Sequence, residues 1–218
     1  MNFNLSKSNG TAVQRLQPWT ISEVEFNGVD FREGTSQQGN NWKAIQFKFK
    51  GDGGTFEHMV FCPGEKGDER MTGTSNGRDW ELPSQLEQLV HTIAHVLGVL
   101  NPTGLEKLKG IELDLPKDFD KLYQYVKKVL DPKVGTKTHL KLIANNKGYA
   151  TIPNFININR DTHESYISNN WLGDNLAFSA YETQQKDKAS KAKPTNMNTT
   201  VTSSDDIIAD NDDLDLNL

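Results

Sequence analysis

Flat aromatic rings and cationic side chains share the predicted strands of this chain, and together they could bind a ligand that is both planar and anionic. Aromatic faces stack on planar bases and lysine pairs with phosphate, so the combination is typical of surfaces that bind single-stranded nucleic acid. The aromatic candidates are Trp42, Tyr149 and Phe155. The cationic candidates are Lys43, Lys48, Lys50, Lys141, Lys147 and Arg160. The alternative is that Trp42 packs beneath a loop and that the lysines form an ordinary solvated edge.

A second group of residues with ligand chemistry lies on one predicted helix. Glu87, His91 and His95 follow one another at steps of four residues, so they would share one helix stripe. Two histidines at this spacing can hold zinc, but the pattern is not HExxH, and a solvated polar stripe explains it as well. Nucleotide-binding and hydrolase motifs do not occur in the sequence. We therefore predict a non-enzymatic protein without a metal or cofactor, and keep a metal-dependent enzyme built on this stripe as a remote alternative.

The last residues of the sequence have the most distinctive composition. Residues 205–218, DDIIADNDDLDLNL, contain six Asp and no Lys or Arg. A tail that only solubilises would not need the apolar residues among them, which could enter the pockets of a partner. We predict a disordered docking tail formed by Asp205, Asp206, Ile207, Ile208, Asp210, Asp212, Asp213, Leu214, Asp215 and Leu216. A solvated acidic terminus is the alternative.

The tail also accounts for the net charge of −5. It holds six of the 29 acidic residues, which leaves 23 acidic residues against 24 Lys and Arg in residues 1–204. A nucleic-acid surface would therefore have to be one segregated face of a nearly neutral body. The only cysteine, Cys62, excludes an internal disulfide, and neither an apolar signal segment nor a membrane span is visible. We expect a protein of the cytoplasm, which would be the bacterial host cytoplasm if a phage encodes the chain.

A hairpin over residues 42–61 is predicted to position the first candidates. Gly51-Asp52-Gly53-Gly54 supplies the turn, which sets Lys50 opposite Thr55 and Phe47 opposite His58. Because side chains alternate along a strand, one face becomes the core. That face carries Ile45, Phe47, Phe49, Phe56 and Val60. The outer face carries Trp42, Gln46, Lys48, Lys50, Met59 and Phe61.

The remaining elements follow from hydrophobic periodicity and turn residues. The predicted strands cover residues 17–31, with a turn or bulge at Asn27-Gly28, then 110–115, 138–144 and 149–152, and a further apolar piece covers residues 155–158. The predicted helices cover residues 81–98 and 118–130, and the predicted loops cover residues 34–41 and 63–79. Three strands, a helical insert over about 81–130, and two further strands give a mainly β, five-stranded OB-fold-like barrel. Residues 1–181 would form this domain, and residues 182–204 a flexible linker.

An OB-like body joined through a Lys/Pro/Thr linker to an acidic tail resembles the single-stranded DNA-binding proteins of bacteriophage replication systems. The resemblance implies that the body coats and protects single-stranded DNA during replication and recombination. It also implies that the tail recruits a polymerase, primase or helicase. Such tails commonly end in an aromatic residue, whereas this one ends in Asn217-Leu218. The alternative function is a structural or virion-associated module whose β-domain docks protein, and a homo-oligomer is left open in either case.

Overall fold

The structure is a computed structural model that describes residues 14–75, 77–145, 147–153, 156–158, 165–167 and 170–191. In chain order its elements are β1 (Thr20–Thr35), β2 (Asn41–Gly51), β3 (Gly54–Phe61), β4 (Met71–Ser75), β5 (Arg78–Leu82), α1 (Gln85–Leu100), α2 (Pro102–Leu108), α3 (Phe119–Leu130), β6 (Lys137–Ala144), β7 (Ala150–Thr151), β8 (Ile156–Ile158), β9 (Ser165–Ile167) and α4 (Ala180–Lys191). Five antiparallel strands in the order β3-β2-β1-β6-β7 curl into a half-barrel. Strands β4 and β5 form a separate hairpin, as do β8 and β9. The prediction of a mainly β, barrel-like fold with added helices is confirmed at this level.

The central hairpin has the predicted register. Lys50 pairs with Thr55 and Phe47 with His58, and Gly54 at the turn has φ 131°, a conformation open to glycine. The whole predicted core face is buried, including Ile45 and Phe47. The alternation of apolar and polar residues along β2 and β3 was therefore sufficient to assign both faces.

Strand β1 is long enough to belong to both halves of the sheet. Residues 20–25 pair with β6, and residues 25–35 pair with β2. The register shifts between Phe26 and Gly28, where φ is 110°, so the predicted turn or bulge takes the form of a bulge. A bulge bends a strand and increases its twist, which lets β1 turn from one partner to the other.

The helices of the insert cover the inner side of the sheet. Helix α1 begins at Ser84, whose hydroxyl accepts from the Glu87 amide while the Glu87 carboxylate accepts from the Ser84 amide. Such a capping box satisfies two amides that the first turn leaves without partners. Helix α3 buries Leu122 and Val126, and Phe119 packs on Phe31 of β1 at 6.3 Å between ring centroids. Both predicted helices are confirmed to within a few residues.

Two segments of the insert differ from the prediction. Residues 110–115 form a turn and a loop instead of a strand, because Leu113 and Leu115 pack on the core without a partner strand, and Pro116 offers no amide. Residues 63–79, predicted as a loop, contain β4 and the start of β5. There Trp80 lies over its cross-strand partner Gly73. The many glycines of this segment favoured a loop in the prediction, because the contact between Trp80 and Gly73 is not visible in the sequence.

The chain from residue 182 to residue 191 also differs, since it belongs to α4 and not to a flexible linker. Glu182 is buried and binds Lys141 of β6, which fixes the first turn of the helix on the body. Residues 192–204 and the tail lie outside the described residues. None of the helices in the described ranges is long and apolar enough to cross a membrane.

Candidate nucleic-acid interface

The outer face is the side of β1, β2 and β3 that points away from the helices. One cross-strand row contains Gly34 and Trp42, and the next contains Arg32, Ala44 and Phe61. Because residues paired across antiparallel strands point to the same side, these side chains form one patch at the start of β2. We call Arg32, Trp42 and Phe61 the outer-face cluster.

Trp42 provides the base of this cluster. Its indole lies so close to Gly34 that a Cβ built there would come within 2.7 Å of Cζ2, so only glycine fits beneath the ring. Phe61 meets Trp42 edge-on at 5.7 Å between ring centroids. Trp42 is half-buried, whereas Phe61 is 40% exposed. Trp42 therefore orients the pair, and Phe61 is its more accessible ring.

Arg32 adds a cation that sequence reasoning missed. It is exposed and lies opposite Ala44, which separates it from Phe61 in the same row. In the described part of the chain its guanidinium has no acidic partner. The signal was available, because alternation along β1 places Arg32 on the same side as Trp42 once the β1–β2 register is known.

Three of the predicted phosphate-binding lysines are instead paired with carboxylates. Lys48 lies on the outer face, but its Nζ is 2.8 Å from Asp30. Lys43 points to the inner side, 2.9 Å from Asp120 of α3, and the hydrogen bond to that carboxylate raises the pKa of Lys43. The prediction is corrected most clearly for Lys141, whose side chain is 3% exposed and cannot track a phosphate.

The other predicted candidates are accessible but distant from the outer-face cluster. Lys50 is exposed beside the β2–β3 turn, and Lys147 and Tyr149 are exposed at the β6–β7 turn, with Tyr149 at 53%. On β1, Gly34 pairs with Trp42, and Thr20 pairs with Leu142 of β6, the strand that leads to the turn of Tyr149. Roughly 45 Å of β1 separates Gly34 from Thr20, at about 3.3 Å per residue. Tyr149 and Trp42 would therefore contact different bases. Phe155 and Arg160 lie outside the described residues, as do the predicted docking residues of the tail.

The Glu87–His91–His95 stripe is occupied by structural contacts. Arg70 donates to both carboxylate oxygens of Glu87, which lowers the pKa of that carboxyl. His95 accepts a hydrogen bond from the Leu172 amide at 3.3 Å, and its ring lies 5.1 Å from that of Trp171. Within the described ranges, no three metal-ligating side chains converge.

A buried aromatic group lies under the sheet at the level of His58. Trp171 packs on Phe49, His58 and His95, with centroid distances of 6.4, 5.8 and 5.1 Å. Burial lowers the pKa of His58 to about 4 and also lowers the pKa of His95. Both imidazoles are half-buried against Trp171, in agreement with the predicted inward direction of His58.

Comparison with known protein families, curated proteins and solved structures finds no match for this chain. The function is therefore inferred from the chemistry of the outer face and from the arrangement of the strands. What this face offers is two adjoining aromatic rings, one of them well exposed, and an exposed arginine on the same face one strand away from Phe61 across Ala44.

Proposed function

We propose that this protein binds single-stranded DNA across the outer face of β1, β2 and β3. The observation that carries the proposal is the outer-face cluster, in which Trp42 and Phe61 share one face of the sheet with Arg32, a cation without an acidic partner among the described residues. Exposed aromatic rings on the outside of a sheet suit bases, which stack on any π face. Each stacked base contributes about 1–3 kcal/mol.

The strand arrangement supports the same proposal. A bulged first strand that pairs with both β2 and β6, and a helical insert between the third and fourth strands of the sheet, favour an OB-fold. That fold binds oligonucleotides on the face of its second and third strands, where Trp42 and Phe61 lie here. In the described residues β3 and β7 are not paired with each other, so the barrel is open on that side.

The mechanism follows from the side chains that remain available. Bases would stack on Phe61 and Trp42, while Arg32 and Lys50 would pair with phosphates and release counterions. Lys48 would contribute only by exchanging Asp30 for a phosphate. Stacking on a π face and pairing with a phosphate are open to every nucleotide, so binding of this kind would not depend on sequence. A protein of this kind would coat and protect single strands during phage-type replication or recombination.

The acidic tail completes the proposed role. Its alternating aspartate and aliphatic residues suit a docking peptide that recruits a replication protein such as a polymerase, primase or helicase. This part of the proposal is supported by composition and by the resemblance to phage single-stranded DNA-binding proteins.

Anisotropy titration of a dye-labelled oligo-dT at two salt concentrations tests the proposal. We expect binding that weakens steeply with salt. For single strands, log K falls by about 0.7 per phosphate contact for each tenfold increase in salt concentration. Unlabelled duplex DNA and oligo-rU serve as competitors that measure preference for the DNA single strand. No binding at the lower salt concentration, or affinity unchanged by salt, would contradict the proposal.

A second candidate function is favoured by the paired lysines. Lys43, Lys48 and Lys141 already have carboxylate partners, while Phe61 is exposed. Such a face would suit a protein partner, as in a structural or virion-associated module. The oligo-dT titration separates the two, because a protein-docking face would leave labelled DNA unbound at either salt concentration.

A further inference from the structure

We infer that Trp19, Phe178 and Lys186 form a second contact site for the same single strand, at the end of β1 opposite the outer-face cluster. This inference rests on the proposed function. The three side chains repeat the chemistry of the outer-face cluster, with two aromatic rings and one cation in a row. We call them the arm cluster, because two of them belong to the segment that leads into and forms α4.

The arm cluster is a continuous array. The rings of Trp19 and Phe178 lie 6.5 Å apart at an interplanar angle of 55°, and both are partly exposed. Nζ of Lys186 lies 4.9 Å from the centroid of Phe178. An ammonium at this distance from a ring face is a cation–π contact and remains able to pair with a phosphate on its open side. The array therefore combines a stacking surface with an anion-binding group.

A buried anchor holds this array in place. Lys141 Nζ lies 3.1 Å from Glu182 Oε2, and their side chains are only 3% and 1% exposed. Lys141 also donates to the Ala177 carbonyl at 3.1 Å, and Glu182 caps α4 by accepting from the Ser179 amide. Loss of either partner from an ion pair this deeply buried strongly destabilises a protein, because the remaining charge is left without compensation. The first turn of α4, and Phe178 with it, is therefore held in position before any ligand binds.

The backbone at Trp19 gives independent support. Trp19 has φ 60°, which is rare for a bulky non-glycine residue. Strain of this kind persists where the surroundings enforce it and is concentrated at ligand-contacting sites. Here the conformation sets the indole against Phe178, immediately before β1 begins at Thr20.

The two clusters lie at opposite ends of β1. Trp19 precedes the strand, and Gly34, under Trp42, is near its end. The strand between them is roughly 50 Å along its contour at about 3.3 Å per residue, and the curl of the sheet shortens the direct path. The bound segment of a nucleic acid that contacts both clusters would have a length in the upper part of the range of about 4–16 nucleotides that such folds bind.

Replacement of Lys186 gives the first test, with Lys188 as a control on the same helix. Lys188 has the same charge but lies about 200° further around α4, at 3.6 residues per turn. In anisotropy titrations of labelled oligo-dT of about 16 nucleotides, Lys186→Ala should reduce the slope of log K against log salt by about 0.7. Lys188→Ala should leave the slope unchanged.

Replacement of Phe178 tests stacking, with the exposed Tyr181 as its control. Phe178→Ala should lower affinity for the same oligonucleotide by at least about fivefold, whereas Tyr181→Ala should not. Melting temperatures equal to that of the unmodified protein would show that the Lys141–Glu182 anchor is intact in each variant.

The outcomes separate this inference from the proposed function. If Trp42→Ala weakens oligo-dT binding while Lys186→Ala and Phe178→Ala match their controls, the arm cluster is not a contact site and the outer-face proposal stands. If the unmodified protein does not bind oligo-dT, both fail together. Weaker oligo-dT binding by variants of both clusters supports a single DNA strand that runs from one end of β1 to the other.

Discussion

Trp42 has two roles at the residue scale, since it covers Gly34 and presents an aromatic edge and face on the outer surface. Loss of the indole exposes the glycine backbone and removes the support behind Phe61. A Trp42 variant should therefore change both stability and binding, and the two effects need separate measurements.

Trp42→Ala should weaken single-strand affinity by about 1–3 kcal/mol if one base stacks there. Trp80→Ala is the matched control, because Trp80 covers Gly73 in the same way on the β4–β5 hairpin, outside the five-stranded sheet. Anisotropy titration gives affinity, and urea unfolding gives the free energy of unfolding. Equal affinities for the two variants would assign Trp42 to structure alone.

The lowered pKa of His58 predicts a pH dependence of stability. Burial lowers the pKa of His58 from 6.5 to about 4, so the unfolded chain binds a proton in this window that the folded chain does not. The free energy of unfolding should be fully developed above pH 6.5 and fall by on the order of 2–3 kcal/mol towards pH 4. Urea unfolding at stepwise pH measures it. His58→Gln should flatten the curve, and an unchanged slope in that variant would show that other groups govern the acid limb.

At the scale of elements, the anchor between β6 and α4 determines where the body ends. A truncation after Tyr181 removes Glu182 and leaves Lys141 without its carboxylate, whereas a truncation after Lys191 keeps the pair. We expect the shorter chain to lose about 3–5 kcal/mol of stability and the longer one to lose little. Thermal melts of the two truncations compare them directly.

An apolar replacement of the pair provides the control for this prediction. Lys141→Met with Glu182→Leu should recover most of the stability that Glu182→Leu alone removes, because no charge is then left buried. Equal melting temperatures for the two truncations would mean that the ion pair contributes nothing to holding α4.

The sheet and the Lys141–Glu182 pair show which features could be predicted from the sequence and which could not. Alternation and turn glycines gave the β2–β3 register, the bulge at Gly28 and the buried core face, because these depend on local periodicity. The fate of Lys141 could not be predicted in this way, since its partner Glu182 is distant in sequence and lies in a polar segment. Whether a charged side chain has a partner is a tertiary property, so the ion pairs of Lys43 with Asp120 and of Lys48 with Asp30 could not be predicted either.

At the scale of the whole molecule, charge separates the tail from the body. Six aspartates in residues 205–218, joined to the body by a linker, would be present near any cationic surface at an effective concentration in the millimolar range. Deletion of Asp205–Leu218 should therefore tighten oligo-dT binding at low salt, where the attraction is least screened, and the two forms should converge at high salt. Titrations across a salt series measure this difference. Identical affinities throughout would leave the tail as a docking peptide or a solubilising terminus.

The bulged strand β1 has a consequence for the order in which the molecule folds. Its second half pairs with β2 through a short connection, so that hairpin can close early, within a small loop. Its first half must wait for β6, because Glu25 pairs with Lys137 on the far side of the entire helical insert. Pairings that are remote in sequence slow folding, so the β1–β6 seam should form late and only after the insert has become compact. During folding, the second half of β1 would thus be paired with β2 while its first half is not yet paired with β6.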